Sequence, residues 1–273
     1  MNTRTVKIGK IEVGKARPLA LIAGPCVIES RESALRHAEE LKRITEKCGI
    51  PFIFKSSYDK ANRSSVNSFR GPGLEDGLRV LKEIREKLDI PVLTDVHEVS
   101  EVATVGEVAD VLQIPAFLCR QTDLLLEAAG TGKPVNVKKG QFMSPAEMDN
   151  VVGKIESTGN KNILLTERGS TFGYNMLVND FRGMVQMGQT GYPVVYDATH
   201  SVQMPGGKGA SSGGDSRYVM PLSKAAVAVG CDALFVEVHE EPEKALSDGP
   251  NMLRLSDLEG FIDQIRKIEK AVR

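Results

Sequence analysis

Residues 52–57 read Phe52-Ile53-Phe54-Lys55-Ser56-Ser57. An apolar, β-rich run ends here in a lysine and two hydroxyls. Seven other stretches share the pattern, at 19–26, 91–97, 111–116, 134–139, 162–168, 194–200 and 233–239. Nearly continuous apolar runs suit parallel strands covered on the outside by helices. The intervening segments carry a helical period. Ala34, Leu35, Ala38, Leu41 and Ile44 fall at helical spacing within 31–47, and Leu74, Leu78, Leu81, Ile84 and Leu88 repeat it. Ser144-Pro145-Ala146-Glu147 joins a capping box to proline at the first helical position. Leu255, Leu258, Ile262, Ile265 and Ile268 mark a last amphipathic helix. Eight strand–helix alternations predict an α/β fold, a (β/α)8 TIM barrel, with residues 1–273 as one catalytic domain. A doubly wound open sheet is the alternative, but no Gly-x-Gly-x-x-Gly follows the first strand. Residues 6–13 predict a short N-terminal β-hairpin, within an extension spanning 1–17, placed to cap the N-terminal mouth.

The bulk numbers narrow the function. The 273 residues are 41% hydrophobic, which is ample for one large core. A net charge of −1 disfavours nucleic acid as a partner. No apolar run approaches the roughly 20 residues that span a bilayer. The first seven residues lead into no apolar signal segment, so the expected location is cytoplasmic, with no membrane partner. In a reducing compartment Cys26, Cys48, Cys119 and Cys231 are not a disulfide framework.

The strand-like runs end in polar residues, and barrel strands end together at the mouth where active sites sit. Lys55, Lys60, Arg63, Arg120, Lys138 and Arg168 would converge there in a protein of near-neutral charge. Surface ion pairs explain any one of them more easily than all six. Burying an unpaired charge costs several kcal/mol, so a lysine within an apolar run faces a ligand or a partner. A local cationic pocket points to small substrates carrying phosphate or carboxylate.

Cys26, His200, Glu237 and Asp248 stand at or just past the ends of strands one, seven and eight. Barrel closure makes strands eight and one neighbours, so the four can meet. Thiolate, imidazole and carboxylate suit a divalent metal such as Zn2+, Fe2+ or Mn2+. Spacing alone leaves other readings open. Cys26 after Gly-Pro can be a buried small residue, His200 a hydrogen-bonded strand end, and Asp248 a turn residue.

Several motifs in order extend the reading. Lys60-Ala61-Asn62-Arg63-Ser64-Ser65 and Ser68-Phe69-Arg70-Gly71-Pro72-Gly73 resemble the substrate loop of the 3-deoxy-D-manno-octulosonate 8-phosphate synthases. Gln113-Ile114-Pro115-Ala116-Phe117-Leu118, Arg120-Gln121-Thr122-Asp123, Asn136-Val137-Lys138-Lys139 and Glu167-Arg168-Gly169 also resemble that family. The likeness runs from about residue 23 to the last helix. It implies a TIM barrel, usually tetrameric, that condenses phosphoenolpyruvate with D-arabinose 5-phosphate and releases phosphate, a step toward lipopolysaccharide. By motif position it implies that Lys55, Lys60, Lys138 and Arg168 hold phosphoenolpyruvate, with Arg120 near its phosphate. Asn62 would contact the sugar chain, Asp95 its hydroxyls, and Arg63 and Ser64 its phosphate, across a subunit interface. Gln113 joins the substrate-binding set.

The family has a metal-dependent branch and an independent one, the latter with asparagine where this chain has Cys26. The resemblance therefore implies the dependent branch, with Cys26, His200, Glu237 and Asp248 as ligands and Cys26, His200, Lys138 and Asp248 in the catalytic set. Asp248 or a water on the metal is the implied base. The nearest rival is DAHP synthase, which uses erythrose 4-phosphate and carries Lys-Pro-Arg-Thr where this chain has Lys60-Ala61-Asn62-Arg63. A Schiff-base aldolase using Lys138 and an inactive phosphate-binding scaffold are further alternatives. Gly206, Gly207, Gly209, Gly213 and Gly214 make 203–215 a lid candidate.

Overall fold

The computed structural model describes residues 4–206 and 213–272. Eight parallel strands form a closed ring. In chain order they are Ala20–Gly24, Phe52–Lys55, Val92–Asp95, Val111–Ile114, Val135–Lys138, Ile163–Glu167, Val194–Asp197 and Ala233–His239. Each pairs with the next, and the eighth pairs with the first through Ala233 opposite Ala20 and Glu237 opposite Gly24. Among the described residues eight α-helices cover the ring: α1 (Arg31–Cys48), α2 (Leu74–Leu88), α3 (Val99–Val108), α4 (Thr122–Gly130), α5 (Met148–Glu156), α6 (Arg182–Gly188), α7 (Val219–Val229) and α8 (Leu258–Val272). The expected (β/α)8 barrel is present.

Local chemistry sets the helix ends. Ser30 caps α1, its hydroxyl accepting from the Ser33 amide, and Gly49 closes that helix in the left-handed region at φ 63°. The predicted capping box forms, with Ser144 and Glu147 satisfying one another. It heads a 3-10 turn, Pro145–Glu147, that runs on into α5.

Side chains alternate across each strand, so two cores form. Leu21, Ala23, Phe52, Phe54 and Val92 face outward into the layer shared with the helices. Ala20, Ile22, Ile53, Leu93, Val111, Leu164, Val195, Ala233 and Phe235 fill the barrel interior. The hairpin Val6–Ile8 with Ile11–Val13 adds Val6, Ile8 and Val13 to that interior cluster. It packs as the expected cap, each side chain contributing roughly 1.5–3 kcal/mol on burial. Strands one and two approach so closely that a Cβ on Gly24 would lie 1.9 Å from the Lys55 carbonyl oxygen. Only glycine fits there.

No helix among the described residues is long and apolar enough to cross a membrane. The lid candidate lies partly outside the described residues. Inside them, Gln203–Met204 pairs antiparallel with Gly213–Gly214.

Candidate active site

Strand alternation carries charge onto the top of the apolar plug. Ile53 is interior, so Lys55, two residues on, is interior as well. The same step leads from Leu93 to Asp95, from Val111 to Gln113, from Val195 to Asp197 and from Phe235 to Glu237. Val135 and Val137 pack outward, which turns Asn136 and Lys138 inward. Above this layer lies a cavity of about 1140 Å³. Lys55, Lys60, Asn62, Arg63, Ser64, Asp95, Gln113, Lys138, Arg168, His200 and Asp248 line it. Eleven of the residues proposed from sequence therefore share one space.

Cys26 and Glu237 are buried beside it. Ligand-type atoms of Cys26, Glu237 and Asp248 lie within 4.8 Å of one another. The Cys26 sulfur is 3.4 Å from Asp248 Oδ2, and His200 Nε2 is 3.7 Å from both Glu237 Oε1 and Asp248 Oδ2. Donors around one divalent ion stand roughly 3–4 Å apart. These separations are of that order, but His200 approaches only the two carboxylates and falls outside the mutually close group of three. Glu237 Oε2 is buried without a hydrogen-bond donor, as a ligand oxygen for a cation would be. Asp248 reaches the cluster from a left-handed backbone at φ 52°, a conformation that aspartate tolerates better than most residues. It is at once a turn residue and a member of the cluster.

Asp197 organises two of its neighbours. Its carboxylate is 2.6 Å from Lys138 Nζ and 2.9 Å from His200 Nδ1. Holding Nδ1 leaves Nε2 directed at Glu237 and Asp248. Burial pushes the Asp197 carboxyl up, but His200 and Lys138 pull it well below the usual carboxylate range. Burial also raises the Glu237 carboxyl, and Lys55, His200, Lys60 and Lys138 bring it down to about 2. Lys55 pairs with Glu237 at 3.0 Å and donates to the Cys26 carbonyl at the same distance. Burial, with Glu237 beside it, pushes the Cys26 thiol well above its ordinary value. A divalent ion would reverse that by stabilising thiolate.

The cationic wall has donors to spare. Arg168 is buried and gives Nη2 to Gln203 at 3.0 Å, but Nε and Nη1 have no partner. Each unmade buried bond costs about 1–3 kcal/mol, which an anion would recover. Burial lowers the Lys138 amine, although Asp197 opposes the shift. Burial works the same way on Lys60, yet Cys26, Glu237, Asp95 and Asp248 hold its amine well above the ordinary value. Arg63 lies across the loop before Asp248, donating to Ser247 Oγ at 2.6 Å.

Two cations from the sequence motifs go elsewhere. Arg120 does not line the cavity in the single chain. The 3-10 turn Ala116–Leu118 keeps Phe117 and Leu118 at the cavity and carries Arg120 past the rim. Its exposed side chain borders a shallow groove with Met143, Glu147 and Lys154. Lys139, next to Lys138, faces the opposite way. It is buried against Glu167 at 3.6 Å and donates to the carbonyls of Gly140, Met143 and Gly169 and to Ser170 Oγ. Sequence reasoning missed Gln203, which accepts from Arg168 and donates to Asp248 Oδ1 at 3.2 Å. Its place three residues after His200, at the start of the 203–215 segment, was the available signal. Cys48, Cys119 and Cys231 do not belong to this cluster.

Residues 2–273 match the DAHP synthetase I family. A 2-dehydro-3-deoxyphosphooctonate aldolase of Geobacter sp. (strain M21) is 58% identical over 270 residues, 99% of each chain. A protein of the same name from Cyanothece sp. is 61% identical over 262 residues, 96% of each chain. Another, from Trichlorobacter lovleyi, is 58% identical over 271 residues, 99% of this chain and all of the other.

Proposed function

The chain belongs to the DAHP synthetase I family and stands with its 2-dehydro-3-deoxyphosphooctonate aldolases, and on that basis we propose the reaction performed at this mouth. The enzyme is a 3-deoxy-D-manno-octulosonate 8-phosphate synthase, another name for that activity. It joins phosphoenolpyruvate, D-arabinose 5-phosphate and water to give the eight-carbon keto acid phosphate and inorganic phosphate. The relatives' shared name favours this pair over the erythrose 4-phosphate used by DAHP synthase. The product class feeds lipopolysaccharide synthesis. A cytoplasmic location accords with the supply of phosphoenolpyruvate.

The observation that carries the reading is Arg168, buried at the cavity wall with two unpartnered N–H groups. A planar guanidinium takes a carboxylate or phosphate by paired bonds. With Lys60 and Lys138 it would fix phosphoenolpyruvate so that its C3 faces the aldehyde carbon. Arg63 and Ser64 would take the sugar phosphate, and Asn62, Asp95 and Gln113 the sugar chain. C3 attacks the aldehyde carbon, whose oxygen becomes a hydroxyl. Water adds at C2, and the resulting hemiketal phosphate loses phosphate by C–O cleavage. Lys138 and Arg168 stabilise the charge that develops, in positions fixed beforehand by Asp197 and Gln203.

Cys26, His200, Glu237 and Asp248 would hold a divalent ion, Zn2+, Fe2+ or Mn2+. Such an ion supplies polarisation of a bound oxygen and orientation of the aldehyde. Its support is the donor set and the orphaned Glu237 oxygen. A homotetramer is part of the proposal. Phe117, Phe142, Phe172, Tyr174 and Met176 are exposed, with Tyr174 98% accessible, and they suit burial against other subunits. The test is phosphate release with phosphoenolpyruvate and each aldose phosphate in turn. Release with arabinose 5-phosphate and not erythrose 4-phosphate supports the assignment, and the reverse preference overturns it.

A further inference from the structure

Four buried side chains on neighbouring strands form a hydrogen-bond chain with one direction. Asp95, Gln113 and Asn136 stand opposite one another in the strand register. Thr166 Oγ1 donates to Asn136 Oδ1 at 2.6 Å. Asn136 Nδ2 donates to Gln113 Oε1 at 2.8 Å. Gln113 Nε2 donates to Asp95 Oδ1, whose other oxygen accepts from Ser57 Oγ. Thr166, Asn136 and Ser57 are fully buried, and only Asp95 and Gln113 line the cavity.

We propose that Thr166 and Asn136 are positioning residues for the aldose phosphate, acting through Gln113 and Asp95. This rests on the reading that Asp95 and Gln113 bind the sugar. The reasoning is one of donors and acceptors. An ionised carboxylate only accepts, so Gln113 must turn its NH2 toward Asp95. Burial pushes the Asp95 carboxyl up, but Lys55, Lys60, His97 and Lys138 hold it ionised, well below the usual carboxylate range. The Gln113 oxygen then faces Asn136 and needs a donor. The Asn136 NH2 supplies it, which leaves the Asn136 oxygen needing a donor in turn. A hydroxyl at position 166 ends the chain. Without it, Asn136 has no reason to keep its orientation, and Gln113 can present either end of its amide to the cavity. Buried polar networks specify geometry only when every member is satisfied.

The variants are Thr166→Val, which keeps the shape and removes the hydroxyl, and Thr166→Ser, which restores it. Asn136→Asp removes the donor to Gln113 and serves as a second break in the chain if Thr166→Val does not fold. Two readouts apply. In steady-state kinetics the break raises KM for the aldose phosphate or lowers kcat by about tenfold, the worth of one buried hydrogen bond, with KM for phosphoenolpyruvate unchanged. Thr166→Ser stays near wild type. Without substrate, exchange of the Gln113 side-chain amide, read by NMR on selectively labelled protein, is slow in wild type and Thr166→Ser and about tenfold or more faster once the chain is broken. Wild type inactive on the arabinose 5-phosphate pair would overturn the functional reading and leave the amide experiment to decide this one. Equal kinetics and equal amide exchange in the broken and restored variants would overturn the positioning role, as would equal damage from Val and Ser.

Discussion

Asp197 holds the His200 ring by Nδ1 at 2.9 Å and so directs Nε2 at Glu237 and Asp248. In the proposed metal site the carboxylate would contribute no ligand of its own and would set the aim of one. Replacement by asparagine keeps the size and loses the charge. Asp197→Asn is expected to lower divalent-metal affinity about 10–100-fold with the barrel intact. Competition against a metal-binding dye measures it, and unchanged affinity would remove Asp197 from the support of the site.

Two adjacent lysines are expected to fail differently. Lys138 faces the cavity and Lys139 faces away into a nest of carbonyls. Lys138→Met should cut kcat by about 10²–10³, the typical worth of one fixed charge at developing negative charge. Lys139→Met should instead cost about 3–5 kcal/mol of stability, because it strands Glu167. Thermal melting and kinetics on both variants separate the roles. Equal effects on both readouts would contradict the assignment.

Cys26→Ala tests the thiolate directly. The residue is buried between strand one and the loop bearing Asp248, so loss of the sulfur is expected to remove metal-dependent activity and keep the fold. Metal content by elemental analysis, with circular dichroism as the fold control, reads both. Full activity in metal-free Cys26→Ala protein would dismiss the ion.

Much of this was visible in the sequence because alternation along a strand is rigid. Once Phe52-Ile53-Phe54 is a strand with Ile53 inward, Lys55 has no other place to go. The same logic holds for Asp95, Gln113 and Glu237, each two residues beyond an interior apolar side chain. It does not extend past the strand ends. Arg120 follows a 3-10 turn whose path depends on packing, and that turn takes it out of the cavity. Lys139 is one residue beyond Lys138, and one step reverses the face. Gln203 lies in a two-residue strand and Ser247 in a loop, both too short or irregular for a period to predict direction. The Thr166–Asn136–Gln113 chain was hidden for another reason. Its members are ordinary polar residues in apolar runs, and only the register shows that they touch.

His37 on α1 gives a pH dependence. Its Nδ1 lies 2.8 Å from the Ser33 carbonyl and so donates, while Nε2 accepts from the Glu240 amide at 3.2 Å. The second contact requires the neutral ring, because a protonated ring has no nitrogen left to accept. Burial depresses its pKa below the ordinary histidine value, and His239 and Arg36 add to this against Glu240 and the Ser33 carbonyl. Between the depressed value and about 6.5 the unfolded chain binds more protons than the folded one. This contribution is complete above that window and is lost as pH falls through it, by at most about 1.4 kcal/mol per pH unit. Denaturant melts against pH should show the slope in wild type and a flatter one in His37→Gln. Identical slopes would exclude His37 as its source.

The most direct measurement is consumption of phosphoenolpyruvate with arabinose 5-phosphate, before and after exhaustive chelation and after return of Mn2+, Zn2+ or Fe2+. The expected result is equimolar loss of both substrates with phosphate release, abolished by chelation and restored by the ion. A metal-replete enzyme that leaves phosphoenolpyruvate untouched in the presence of arabinose 5-phosphate would contradict the assigned reaction.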